Sequence, residues 1–101
     1  MSTETLPRAA ESFDLDRPWQ LHPQVSVRPE RFGALLYHFG TRRLSFLKSP
    51  ALLTVIHELG DAPSAREACR RAGLTPSELP AYAAALQALA SSRMIRPREP
   101  A

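Results

Sequence analysis

Residues 32–48 read FGALLYHFGTRRLSFLK: two apolar runs, a Gly-Thr break, then two arginines. Runs of this length bounded by a turn signal read as a β-hairpin, and Gly40-Thr41 fits a two-residue type II′ loop with glycine first. That loop sets Phe39 opposite Arg42, Tyr37 opposite Leu44 and Leu35 opposite Phe46. Side chains alternate across a strand, so Leu35, Tyr37, Phe39, Leu44 and Phe46 share one face, expected to be the core face that meets helices. His38, Arg43 and Ser45 share the other face with Leu36 and Leu47, which is expected to be mixed.

Upstream, Val25-Ser26-Val27 has the alternation of a short strand that Pro29 ends or places at an edge. The stretch from Phe13 to Leu21, which holds the only tryptophan, alternates bulky apolar residues with charges. Its Phe13, Trp19 and Leu21 are expected to cap the chain's own core rather than reach a partner. Downstream the period changes from two to about 3.6 residues. Ser49 N-caps a helix over 50–59 that Gly60 stops, with Pro50 at its first position. Ser64-Ala65-Arg66-Glu67 has capping-box spacing and opens a short helix that closes at Gly73, with Ala68, Cys69 and Ala72 inward and Arg66, Arg70 and Arg71 outward. Thr75-Pro76-Ser77-Glu78 is a second capping box before the longest helix, which bends or properly begins at Pro80. Met94 to Arg98 returns along the domain. The order is α+β: a three-stranded antiparallel sheet followed by three α-helices. Residues 13–98 are expected to form a single domain, with a flexible tail at 1–12 and a short one at 99–101.

Composition narrows the function. A chain of 101 residues, 44% of them hydrophobic, suffices for one modest core. No apolar run reaches the length of a membrane helix, the N-terminus lacks the pattern of a secretory signal, and the single Cys69 suits a reducing compartment, so a cytoplasmic protein is expected. The histidines, His22, His38 and His57, have no metal-ligand spacing with each other or with Cys69. The four glycines are scattered rather than grouped into a phosphate loop. With no catalytic, metal or cofactor constellation, the chain reads as a binder and not an enzyme.

Two kinds of binding compete. SAREACRRAGLTPSELPAYAAAL has the outline of a winged helix-turn-helix, and the formal charge of +3 with a pI near 9.8 favours acidic partners. Yet the would-be recognition helix carries a carboxylate, one glutamine and many alanines, with no cation before Arg93, which equips it poorly for a polyanionic groove. DNA regulation is therefore the minor alternative, and no nucleic acid is the expectation. The other reading starts from the edge strand Arg43 to Leu47, which carries no proline and is partly apolar. Beside it the small residues Ala81, Ala84, Ala85 and Ala88 leave room for an added peptide strand, whose acidic residues Arg42, Arg43 and Lys48 would favour. The competing account makes those three cations gatekeepers against aggregation. A proline at Ser45 would weaken the guest if that residue's N–H faces the free edge.

FDLDRPWQLHPQV, RPERFGALLYHFGTRRLSFLKSPALL and SSRMIRPR together resemble the PqqD-like peptide-recognition domains, and within them the mycofactocin-type chaperones, over about residues 13 to 98. The resemblance implies a winged-helix-related fold and a noncatalytic escort. It implies that the escort binds the leader of a ribosomal precursor peptide and presents it to a radical S-adenosylmethionine enzyme, which itself carries the iron-sulfur clusters. It further implies that the leader docks as an extra strand along Arg42, Arg43, Leu44, Ser45, Phe46, Leu47 and Lys48 and against Tyr82, Ala85, Leu86 and Leu89 of the last helix. PqqD-like domains often have an acidic or amide residue just after that strand. This chain departs there with Lys48, which bears on the leader charge it prefers.

Overall fold

The structure, a computed structural model, describes residues 13–98. The tails expected at 1–12 and 99–101 lie outside the described residues. In chain order the elements are β1 (Trp19–Leu21), β2 (Val25–Glu30), β3 (Gly33–His38), β4 (Arg43–Leu47), α1 (Pro50–Leu59), α2 (Ala65–Arg71), α3 (Leu79–Ser91) and β5 (Ile95–Pro97). Strands β2, β3 and β4 make an antiparallel meander, so β4 is an edge. The α+β expectation therefore holds, with one addition: β1 and β5 pair antiparallel as a second small sheet, Leu21 opposite Ile95 and Trp19 opposite Pro97.

The hairpin register is as expected, with Tyr37 opposite Leu44 and Leu35 opposite Phe46, but its faces are inverted. Ala34, Leu36, His38 and Leu47 are buried, while Leu44 (55% exposed), Phe46 (60%) and Phe39 (60%) stand in solvent, with Leu35 and Tyr37 half-buried. Helix α1 packs on β3, and the small residues at its base explain the choice of face. Gly33 has φ +151°, and a Cβ there would lie 2.1 Å from the Leu47 carbonyl oxygen, so β3 and β4 close at a point where no side chain fits. Ala34 beside it has no exposed surface. The helices thus cover the side with the smaller residues, and the bulkier apolar residues remain outside.

The turn also departs from the two-residue expectation. His38 pairs with Arg43, leaving a four-residue loop in which Arg42 takes φ +64° and donates its N–H to the His38 carbonyl at 2.7 Å. Gly40 is not in the left-handed region. The cause is the buried His38 ring, whose Nδ1 accepts the N–H groups of Gly40 at 3.0 Å and Thr41 at 3.1 Å. Two loop donors captured by one acceptor fix a wider turn than glycine alone would make.

The helix ends largely follow the sequence. Ser49 Oγ accepts the Leu52 N–H at 3.2 Å, and Ser64 Oγ accepts the Glu67 N–H at 3.1 Å. Each capping box forms only one half. Glu67 turns to Arg70 and Arg71 rather than back to Ser64, whereas Glu78 accepts the Thr75 N–H at 2.8 Å while Thr75 does not cap Glu78. Helix α3 begins at Leu79-Pro80, where the missing proline N–H costs nothing.

The segment before β1 is built into the chain's own core. Trp19 is 2% exposed, donates its Nε1–H to the Asp14 carbonyl at 2.9 Å, and packs its ring 4.9 Å from Phe13. The carbonyls of Arg17 and Leu15 accept the Ala65 and Arg66 N–H groups, satisfying donors in the first turn of α2, and Asp16 pairs with Arg66 at 2.8 Å. At the other end Arg98 donates to the carbonyls of Leu59, Gly60 and Ala62, placing a cation where the carbonyls of α1 end.

Gly33→Ala should destabilise the fold by at least about 2 kcal/mol, because strained backbone and a steric overlap add. Thermal denaturation should show a fall in midpoint of several degrees or more. The Arg70 hydrogen bond, with Arg71 beside it, holds the Glu67 carboxyl down at about 2. A group with a lowered folded-state pKa stabilises above its ordinary range and loses that contribution as pH falls through the folded value. Carboxyl NMR should therefore find Glu67 ionised down to about pH 2.

Candidate functional site

Backbone hydrogen bonds in an antiparallel ladder alternate in direction along each strand, so one bond fixes the rest. The Phe39 N–H donates to the Gln24 carbonyl at 2.8 Å, toward β2, and the His38 carbonyl accepts from Arg42, toward β4. Phe39, Tyr37 and Leu35 therefore face β2 with their backbone groups, while His38, Leu36 and Ala34 face β4. Arg43, Ser45 and Leu47, their partners, are satisfied inside the hairpin. Leu44 and Phe46 are left with backbone N–H and C=O groups directed off the free edge. This assignment overturns the value of a proline at Ser45, whose N–H serves β3.

The other edge is closed by its sequence. β2 contains Pro29, which lacks a donor, and its outer face carries Ser26 and an Arg28–Glu30 ion pair at 3.0 Å. β4 contains no such device.

The expected site residues fall into two groups. Arg42, Arg43, Leu44, Phe46 and Lys48 are exposed and Ser45 is half-buried, whereas Leu47 is 1% exposed and belongs to the core. On α3, Tyr82 and Ala85 are half-buried, but Leu86 has no exposed surface and Leu89 only 6%. Leu47, Leu86 and Leu89 share one hydrophobic cluster, against which Tyr82 and Ala85 pack. Leu86 and Leu89 thus hold α3 in place, and Tyr82 and Ala85 are the accessible positions among the four. Tyr82 OH lies 3.0 Å from Ser49 Oγ, joining α3 to the residue that caps α1, two positions past the end of β4. Ala84 lies with Ala83, Pro80 and Gln87 along an open cleft of about 750 Å³ against Phe13 and Leu15.

Sequence reasoning missed Phe32, 46% exposed, whose ring lies 6.3 Å from Phe46 on the outer side of the sheet. The available signal was its place in the β2–β3 turn directly before Gly33. Arg31, Arg42, Arg43 and Lys48, in and beside the hairpin, are exposed, and none is ion-paired to a carboxylate among the described residues.

Chemistry elsewhere is sparse. His22 and His38, unlinked by sequence spacing, stack with centroids 4.4 Å apart, and burial, then the neighbouring His38, lowers the His22 pKa. The described residues hold no group of three His, Cys, Asp or Glu side chains that suits a metal ion. Burial pushes the Cys69 thiol up, away from the reactive thiolate. No helix among the described residues is long and apolar enough to cross a membrane.

A family model described as the Peptide chaperone MftB family matches residues 18–96. The chain is 58% identical over 90 residues to a protein named Peptide chaperone MftB from Mycobacterium ulcerans, covering 89% of this chain and 83% of that one. It is 56% identical over 94 residues to the protein of that name from Mycobacterium tuberculosis, covering 91% and 86%. The Mycolicibacterium smegmatis protein of the same name is 51% identical over 89 residues, covering 88% and 87%. No solved structure matches the chain significantly.

Proposed function

The chain belongs to the peptide chaperone MftB family, and from that premise we propose that it is a noncatalytic cytoplasmic escort for the leader of a mycofactocin-type precursor peptide. The leader adds as a strand to the free edge of β4, beside Tyr82 and Ala85 of α3, and the escort delivers the attached substrate segment to a radical S-adenosylmethionine maturase. The observation that carries this reading is that, among the described residues, the backbone of Leu44 and Phe46 has no partner strand on an edge that contains no proline and no ion pair. β-strand addition needs such an edge: main-chain bonds hold the guest while alternate side chains select it.

In this mechanism no bond of the substrate is altered by the escort. Binding raises the effective concentration of the substrate segment at the maturase, and a reversible grip releases the leader after turnover. Lys48 and the arginines of the β3–β4 turn draw acidic leader residues to the ends of the strand. Helix α3 has no Arg or Lys between Leu79 and Ser91, so its bare surface suits a neighbouring peptide better than a phosphate backbone.

The test is titration calorimetry with a synthetic leader peptide methylated at one backbone nitrogen at a time. Every second nitrogen in the docked segment should lose at least about tenfold in affinity, because only alternate N–H groups meet β4. Uniform tolerance to methylation would sink strand addition. Lys48→Glu should weaken an acidic leader about fivefold at low salt, and the difference should shrink at high salt. An unchanged salt dependence would remove Lys48 from the contact.

A further inference from the structure

On the outer side of the sheet, opposite the helices, polarity changes strand by strand. β2 contributes Ser26, Arg28 and Glu30, β3 contributes the half-buried Leu35 and Tyr37, and β4 contributes Leu44 and Phe46, more than half exposed. Phe32 adds its ring beside Phe46. A general docking face would be most apolar at its centre. This one is most apolar at the margin, on the same two residues whose backbone is unpaired.

We propose that Leu44 and Phe46, flanked by Phe32, form a second side-chain contact line for the guest strand, on the face away from α3. The guest is therefore apolar on both of its faces, with acidic residues at its ends. The proposal rests on the reading that β4 receives a peptide, and it adds what that peptide must look like. Residues directly across a strand pair bring their Cβ atoms within about 5 Å. Any strand laid along β4 consequently places alternate side chains against Leu44 and Phe46. A polar residue there would leave both exposed side chains still half in water, whereas a large aliphatic or aromatic residue covers them.

Charge argues against a second copy of the chain as the occupant. The strand that carries the apolar margin is bounded by Arg42 and Arg43 at one end and Lys48 at the other, all exposed, and Glu30 on the outer face is already paired with Arg28. Two such faces brought together would oppose cations with cations. An acidic, apolar extended peptide meets both the charge and the shape, and it continues the sheet at the edge where the apolar surface lies.

The experiment measures binding of a fluorescein-labelled leader of the mycofactocin precursor by anisotropy. Phe46→Ser and Leu44→Ser change exposed side chains, and thermal denaturation should be close to that of the parent chain. Each should weaken binding about fivefold. A serine scan of the leader should show losses in both alternating sets of positions, not in one. In Phe46→Ser the loss at the outward-facing guest position should vanish, and Phe46→Leu should restore most of it. If the parent chain binds the leader and methylation alternates, but both serine variants bind as the parent does, the second contact line is overturned while the escort role stands. If the parent chain does not bind the leader at all, the escort reading itself fails. Loss of sedimentation with phosphatidylglycerol vesicles, or of self-association, in variants of unchanged leader affinity would assign the face to a membrane or a second copy and overturn the proposal.

Discussion

A strand has two faces and can turn only one of them toward a given layer of helices. In β3 that choice falls on Ala34, Leu36 and His38, and the rest of the molecule follows from it. Because Gly33 lets the backbone close on Leu47 and Ala34 has only a methyl group, α1 can lie against the hairpin at this face. Because the strands keep register, the same parity puts Leu47 inside and Leu44 and Phe46 outside. Because ladder bonds alternate with the same period, it also decides which β4 residues keep unpaired backbone groups. Core, exposed apolar surface and open edge are thus three results of a single alternation.

Counting apolar residues led to the wrong face. Leu35, Tyr37, Phe39, Leu44 and Phe46 outweigh Ala34, Leu36, His38 and Leu47 in bulk, and burial usually goes to the bulkier set. The rule fails in this hairpin, and local sequence rules tend to fail at functional sites, which agrees with the role proposed for Leu44 and Phe46. The sequence did contain a counter-signal in Gly33-Ala34, a pair too small to be useful on an open face but well suited to close approach. His38 falls on the face expected to be mixed. Its ring is buried because its Nδ1 has two loop donors to accept, a relation that depends on the turn's three-dimensional closure and not on spacing along the chain.

Other features were legible because their causes are local. The N-cap serines, Pro50, Pro80 and the helix limits follow from interactions within one or two turns. The β1–β5 pair was not legible, since it joins Trp19–Leu21 to Ile95–Pro97 across nearly the whole chain and each partner is only three residues long. Even so, the demand that Trp19 be buried was readable, and the second sheet is the means by which the chain meets it. On α3 the apolar stripe was correctly traced, but a stripe does not say which of its members are covered by the chain itself. Leu86 and Leu89 are so covered, and Tyr82 and Ala85 lie at its margin.

The energetics of the edge make side chains necessary to any guest. Leu44 and Phe46 together present two N–H and two C=O groups off the edge. Each intramolecular-type hydrogen bond contributes about 1 kcal/mol net, because water is displaced from both partners. Four such bonds correspond to roughly millimolar affinity, before the cost of ordering an extended peptide is subtracted. A short edge alone therefore cannot distinguish its guest or retain it. For a strand added as proposed, selection would come from what stands on either side of it: Tyr82 and Ala85 toward the helices, and the exposed Leu44 and Phe46 away from them. A grip divided in this way between weak backbone pairing and modest apolar contacts is specific without being tight, which is what a carrier that must release its cargo requires.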